Sequence, residues 1–242
     1  MRNQIIRTIC FMSIAICLSA GLCIAASWEL VYTADVLPDD KSLGKEAWER
    51  GKDGQWPGKP EFGKIEPAGE LHMNDPSDAG DNYLWYARWF DKKEDAEHTT
   101  IEARVKSLNN TDGHAVCMSI DNQGALARLF MFPDHLEIWE SGQKHNVDMT
   151  SYHVVRLTRK GKEVKAYLDD KEVLKGAPKD YVWDYSRVVF GALSSAGIGE
   201  AYWDYIAYTT QGAFSPAELR SGLAVECVGK LTTSWAKVKS VY

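Results

Sequence analysis

Apolar residues recur with a period of two, in short runs spread over most of the chain. The cleanest run is Thr99 to Lys106, where Ile101, Ala103 and Val105 alternate with Glu102, Arg104 and Lys106. An extended chain sends successive side chains to opposite faces, so this pattern predicts one buried and one wet face. Comparable strand signals fall at 28–32, 70–74, 82–90, 114–121, 125–132, 136–140, 152–159, 164–169, 187–192 and 201–209. Turn chemistry separates them: Asn109-Asn110-Thr111-Asp112-Gly113, Asp121-Asn122-Gln123-Gly124, Phe132-Pro133-Asp134 and Ser141-Gly142 all tolerate turn dihedrals. Residues 36–68 read as a long packed loop anchored by Trp48, Trp56 and Phe62. One short helix is expected, opened by the capping box Ser215-Pro216-Ala217-Glu218 and stopped at Gly222. About ten strands with no βαβ rhythm predict an all-β, antiparallel two-sheet sandwich and exclude a helical bundle or doubly wound sheet.

Composition narrows the function. Nine Trp, eleven Tyr and seven Phe exclude intrinsic disorder. A net charge of −6 argues against a nucleic-acid partner, which would need a basic face to displace phosphate counterions.

At the N-terminus Arg2 and Arg7 precede an uncharged stretch from Thr8 to Trp28, with small residues at Ala25, Ala26 and Ser27. These are the parts of a signal peptide over residues 1–26, with an uncleaved anchor as the alternative. The expected organisation is then 27–220 as the sandwich and 221–242 as a tail packing on or following it. The expected location is secreted, periplasmic or cell surface, with no membrane association after cleavage. Cys10, Cys17 and Cys23 fall in the signal segment, leaving Cys117 and Cys227. In an oxidising compartment these two suggest a disulfide, and a buried free thiol at Cys117 is the competing reading.

The hairpin from Tyr152-His153-Val154 through Gly161 to Tyr167-Leu168-Asp169-Asp170-Lys171 resembles the concanavalin A-like jelly rolls of the laminin-G-like kind. The closing segment Ala201-Tyr202-Trp203-Asp204-Tyr205-Ile206, followed by Ser215-Pro216-Ala217-Glu218-Leu219, is similar to theirs too. One departure is Asp170, which stands where that family usually has the turn glycine. The resemblance implies two curved antiparallel sheets in a jelly roll. It also implies a glycan on the concave face and a structural calcium ion, with Asp204 as a ligand on that ground alone.

Catalytic signatures of the fold are missing. No E-x-D-x-x-E strand of the laminarinase type occurs, and no R-x-E-x-R strand with a Q-x-H pair of the alginate-lyase type. The six His are scattered and form no metal or nucleophile pair. Asp75, Asp78 and Asp81 in an acidic turn could wrap calcium, or simply make a tight loop. Aromatic and charged residues at strand spacing are the better lead. Tyr86 and Arg88 alternate with Trp85 and Trp89, and Arg128, Glu137 and Trp139 lie on neighbouring runs. Aromatic faces stack on sugar rings while Arg and Glu bond hydroxyls. Tyr86, Arg88, Arg128, Glu137 and Trp139 are therefore the expected ligand-binding set. The expected function is non-catalytic, lectin-like binding of a polysaccharide or glycan. The alternatives are a polysaccharide-degrading enzyme with a non-standard site, or a structural, adhesive surface protein.

Overall fold

The structure is a computed structural model that describes residues 26–51, 59–76, 84–90, 96–139, 141–182, 186–193 and 197–222. In chain order the strands are β1 (Leu30–Thr33), β2 (Glu49–Arg50), β3 (Gly63–Glu66), β4 (Glu70–Asp75), β5 (Trp85–Trp89) and β6 (His98–Asn110). Next come β7 (Cys117–Asn122), β8 (Ala125–Met131), β9 (His135–Ile138), β10 (Lys144–Asn146) and β11 (His153–Lys160). The last five are β12 (Glu163–Leu168), β13 (Lys171–Gly176), β14 (Lys179–Asp180), β15 (Ser186–Gly191) and β16 (Gly199–Thr209). They form two eight-stranded antiparallel sheets. Sheet A runs β13-β12-β11-β6-β16-β4-β3 with β1 added to β16, and sheet B runs β10-β9-β8-β7-β15-β5-β2 with β14 added to β8.

Every expected strand forms, with ends shifted by a few residues. Five short strands, β2, β3, β10, β13 and β14, sit where the chain shows no clean alternation, so edge pairing and not pattern makes them strands. The capping box also forms, with Ser215 N and Oγ donating to Glu218 Oε2 at 2.8 and 2.7 Å. It closes one hydrogen-bonded turn, not the expected helix, among the described residues. At the β12–β13 turn Asp169 and Asp170 both take positive φ, 46° and 69°. Asp accepts this left-handed geometry, so the hairpin closes without a glycine at the turn.

Period two sorts the faces. Ile101, Ala103, Val105, Val155, Leu157 and Trp203 from sheet A meet Tyr86, Met118, Ile120, Leu129, Val188 and Phe190 from sheet B in one core. Phe190 is its hub, with ring centroids 5.0 Å from Trp48, 5.1 Å from Trp203 and 5.6 Å from Tyr86. Such pairs add about 0.5–1.5 kcal/mol each beyond area burial.

The outer face of sheet A departs from the wet face expected of β6. Glu102 is fully buried because residues 212–222 fold back over it. Its carboxylate accepts from Arg156 Nε (2.7 Å), Tyr205 Oη (2.6 Å), Ser221 Oγ (2.8 Å) and the Gly222 amide (2.8 Å). Alternation marks the side away from the core, and only the returning chain decides whether that side meets water.

Candidate functional site

The outer face of sheet B is lined by ionisable and aromatic side chains. Strand register sets them in three cross-strand rows. One row runs Lys144, Glu137, Phe130, Cys117, Gly191 and Trp85 from β10 to β5. The next carries Arg128, Ser119, Val189 and Ala87, with Trp139 joined at its end through its amide to the Arg128 carbonyl at 3.0 Å. The third runs Lys179, Leu126, Asp121, Arg187 and Trp89.

The third row is tied together by a buried ion pair. Arg187 Nε donates to Asp121 Oδ2 at 2.7 Å, and Ser119 Oγ donates to Asp121 Oδ1 at 2.5 Å. The Arg187 guanidinium lies 4.7 Å from the Trp85 ring centroid and 4.8 Å from that of Trp89. Along β7 the outward positions are Cys117, Ser119 and Asp121, so this strand offers one carboxylate, already engaged. The retaining and inverting hydrolase arrangements both need two carboxyl groups.

The first two rows meet at Trp139. The Arg128 guanidinium lies 5.0 Å and the Lys179 ammonium 4.1 Å from its ring. The His114 ring sits 5.2 Å from Trp139 and 4.6 Å from Phe130. His114 is held by its own loop, where its amide and that of Ala115 donate to Asp112 Oδ1 at 2.9 and 3.0 Å. Burial, then the Arg128 charge and more weakly Lys179, push the His114 imidazole below its ordinary pKa, while Asp112 opposes them. Together these favour the neutral imidazole, the form that can accept a proton. Glu137 lies across from Phe130 with Lys144 at 3.3 Å and His135 at 3.7 Å.

The expected ligand set divides between faces. Arg128, Glu137 and Trp139 share the outer face of sheet B. Tyr86 does not: it is fully buried against Phe190 in the core, and burial raises its phenol pKa. Arg88 also leaves the set, because its guanidinium caps the carbonyls of Lys45 and Ala47 at 2.9 and 2.5 Å. The outer side of β5 carries the alternate parity, Trp85, Ala87 and Trp89, of which Trp89 is exposed while Trp85 and Ala87 are buried with Val189 and Ala192. His114, Lys179 and the Asp121–Arg187 pair escaped the sequence reading, since separate strands bring them together.

Of the four carboxylates expected to hold calcium, the two described ones stand apart along the sheet. Asp75 is buried at the end of β4 opposite Gly199, while Asp204 lies five residues further along β16 and pairs with Arg104 at 2.7 Å. Asp78 and Asp81 fall outside the described residues. Among the described residues no group of three or more His, Cys, Asp or Glu could hold a metal ion. Cys117 is a buried free thiol whose Sγ donates to the carbonyls of His114 and Gly191 at 3.4 Å. Burial pushes its pKa up to about 12. Cys227, its expected partner, lies outside the described residues.

No family model and no curated protein matches this chain. Among solved structures, one described as a native glycosidic hydrolase aligns with a TM-score of 0.50 at 14% identity, over 76% of this chain and 97% of the other. A β-1,3-1,4-glucanase (lichenase) from a mouse hindgut metagenome aligns with a TM-score of 0.50 at 12% identity, over 75% of this chain and 98% of the other. A β-glucanase of Bacillus licheniformis aligns at 12% identity with a TM-score of 0.46, over 67% and 91% of the two chains. These likenesses show the fold alone, a two-sheet antiparallel jelly-roll sandwich. The solved structures named here are degradative enzymes, so the non-catalytic lectin expected from the sequence is corrected: the findings favour its enzyme alternative.

Proposed function

We propose that this protein is a polysaccharide-degrading enzyme whose glycan lies across the outer face of sheet B. One observation carries the reading: His114, beside Asp112, shares an aromatic floor with Arg128 and Trp139. A sugar ring packed against Trp139 would lie next to an imidazole whose neutral form can take a proton and a guanidinium that can orient an oxygen. The neighbours described as a glycosidic hydrolase and a lichenase support glycan chemistry on this fold. The laminin-G-like features of the β11–β12 hairpin belong to the same proposal, as does export directed by residues 1–26.

Incubating the protein with a panel of polysaccharides and assaying reducing ends tests this, with ultraviolet absorbance separating elimination from hydrolysis. Product release is expected. His114→Ala should lower turnover by about 10²–10⁴-fold, the usual worth of a positioned acid or base. Full activity in that variant would remove His114 from the chemistry. A folded protein that releases nothing from any polymer would end the enzyme reading.

A further inference from the structure

Four arginines are almost wholly buried: Arg128, Arg156, Arg159 and Arg187. Three have polar partners that explain their burial. Arg156 pairs with Glu102, Arg187 with Asp121, and Arg159 donates to the carbonyls of Ile120, Ala125 and Gly161. Arg128 differs. Only 5% exposed, it forms no ion pair among the described residues, and its Nε has no hydrogen-bond acceptor. Its guanidinium instead faces Trp139, whose ring also carries the Lys179 ammonium. A buried charge without a counter-ion is costly, and a ring quadrupole compensates it only in part.

We propose that Arg128 is the anion-binding residue of a subsite for an acidic sugar, taking the carboxylate of a uronate or a sulfate ester, with Lys179 at the rim and Trp139 under the ring. The proposal rests on the reading that sheet B binds a glycan, and it names that glycan's class. A guanidinium presents paired donors that match a carboxylate or sulfate edge. The chain as a whole carries −6, so long-range attraction does not recruit such a polymer and the local cations must. Both cations lie over the Trp139 ring, so a sugar packed against that residue would bring its anionic substituent within reach of both.

Affinity electrophoresis of the full chain decides it, in gels containing polygalacturonate, alginate, a sulfated galactan or neutral lichenan. Retardation by an acidic polymer, weakened about tenfold or more in Arg128→Gln and less in Lys179→Gln, is expected; which polymer acts separates carboxylate from sulfate. Arg128→Gln should also melt no lower than the parent, because Arg128 has no counter-ion among the described residues to be left unpaired when it is removed. A lower melting point would assign Arg128 to the fold and overturn the proposal. Retardation by lichenan alone, with product released from it, would overturn the acidic subsite and leave the enzyme reading standing. Acidic polymer bound through Arg128 without release would do the reverse. If no polymer is bound or cut, both fall.

Discussion

Replacing Arg187 with Met isolates the energetics of the floor beneath the site. The Asp121 side chain is fully buried and that of Arg187 is 3% exposed, with Nε 2.7 Å from Oδ2. Met keeps an apolar stem between Trp85 and Trp89 but strips Asp121 of its ion-pair partner, leaving the Arg159 charge beyond pairing distance. Breaking one side of a buried ion pair costs about 3–5 kcal/mol, because the remaining charge is left without compensation. Ser119 still donates to Asp121 Oδ1, which favours the lower end. For a chain of this size each kcal/mol moves the melting temperature by about 2–4 °C, so Arg187→Met should lower it by roughly 6–20 °C. Adding Asp121→Leu removes the stranded carboxylate. The double variant should recover to within about 1–2 kcal/mol of the parent, since a pair replaced by apolar groups is often neutral. Urea unfolding of the parent, both singles and the double measures the coupling directly. The reasoning fails if Arg187→Met costs under about 1 kcal/mol, or if the two single losses simply add.

Two further outcomes follow from the same physics. Glu102→Ala strands Arg156 and three other donors, so a loss of about 3–5 kcal/mol in urea unfolding is expected, together with faster proteolysis within 212–222, which that carboxylate pins. His114 is neutral in the fold against the push of Asp112, with Arg128 and Lys179 facing it. The unfolded chain therefore takes up a proton near pH 6.5 that the folded protein resists, and stability falls as pH drops through that value. His114→Gln should shrink the difference in melting temperature between about pH 5 and about pH 7.5, and an unchanged difference would show that His114 does not carry this dependence.

The architecture was largely legible because alternation is a local property. Ile101, Ala103 and Val105 announce a buried face in the sequence, and they are buried. The aromatic and charged character of β5, β8 and β9 was equally plain. Parity was not. Trp85 and Trp89 alternate with Tyr86 and Arg88 on one strand, and either set could have faced the core. Register with β15 settles it, by setting Tyr86 opposite Phe190.

By itself, then, the sequence determined an antiparallel sandwich, its strand order along the chain and the hairpin that two aspartates close. Tertiary structure alone decided which carboxylates are quenched and which arginine is not. Asp121 meets Arg187, and Glu102 meets Arg156, across strands 66 and 54 residues apart in sequence. Arg128 has no ion-pair partner among the described residues and faces the Trp139 ring. Charge compensation is a short-range matter of a few ångströms between strands far apart in the chain, and no local pattern encodes it.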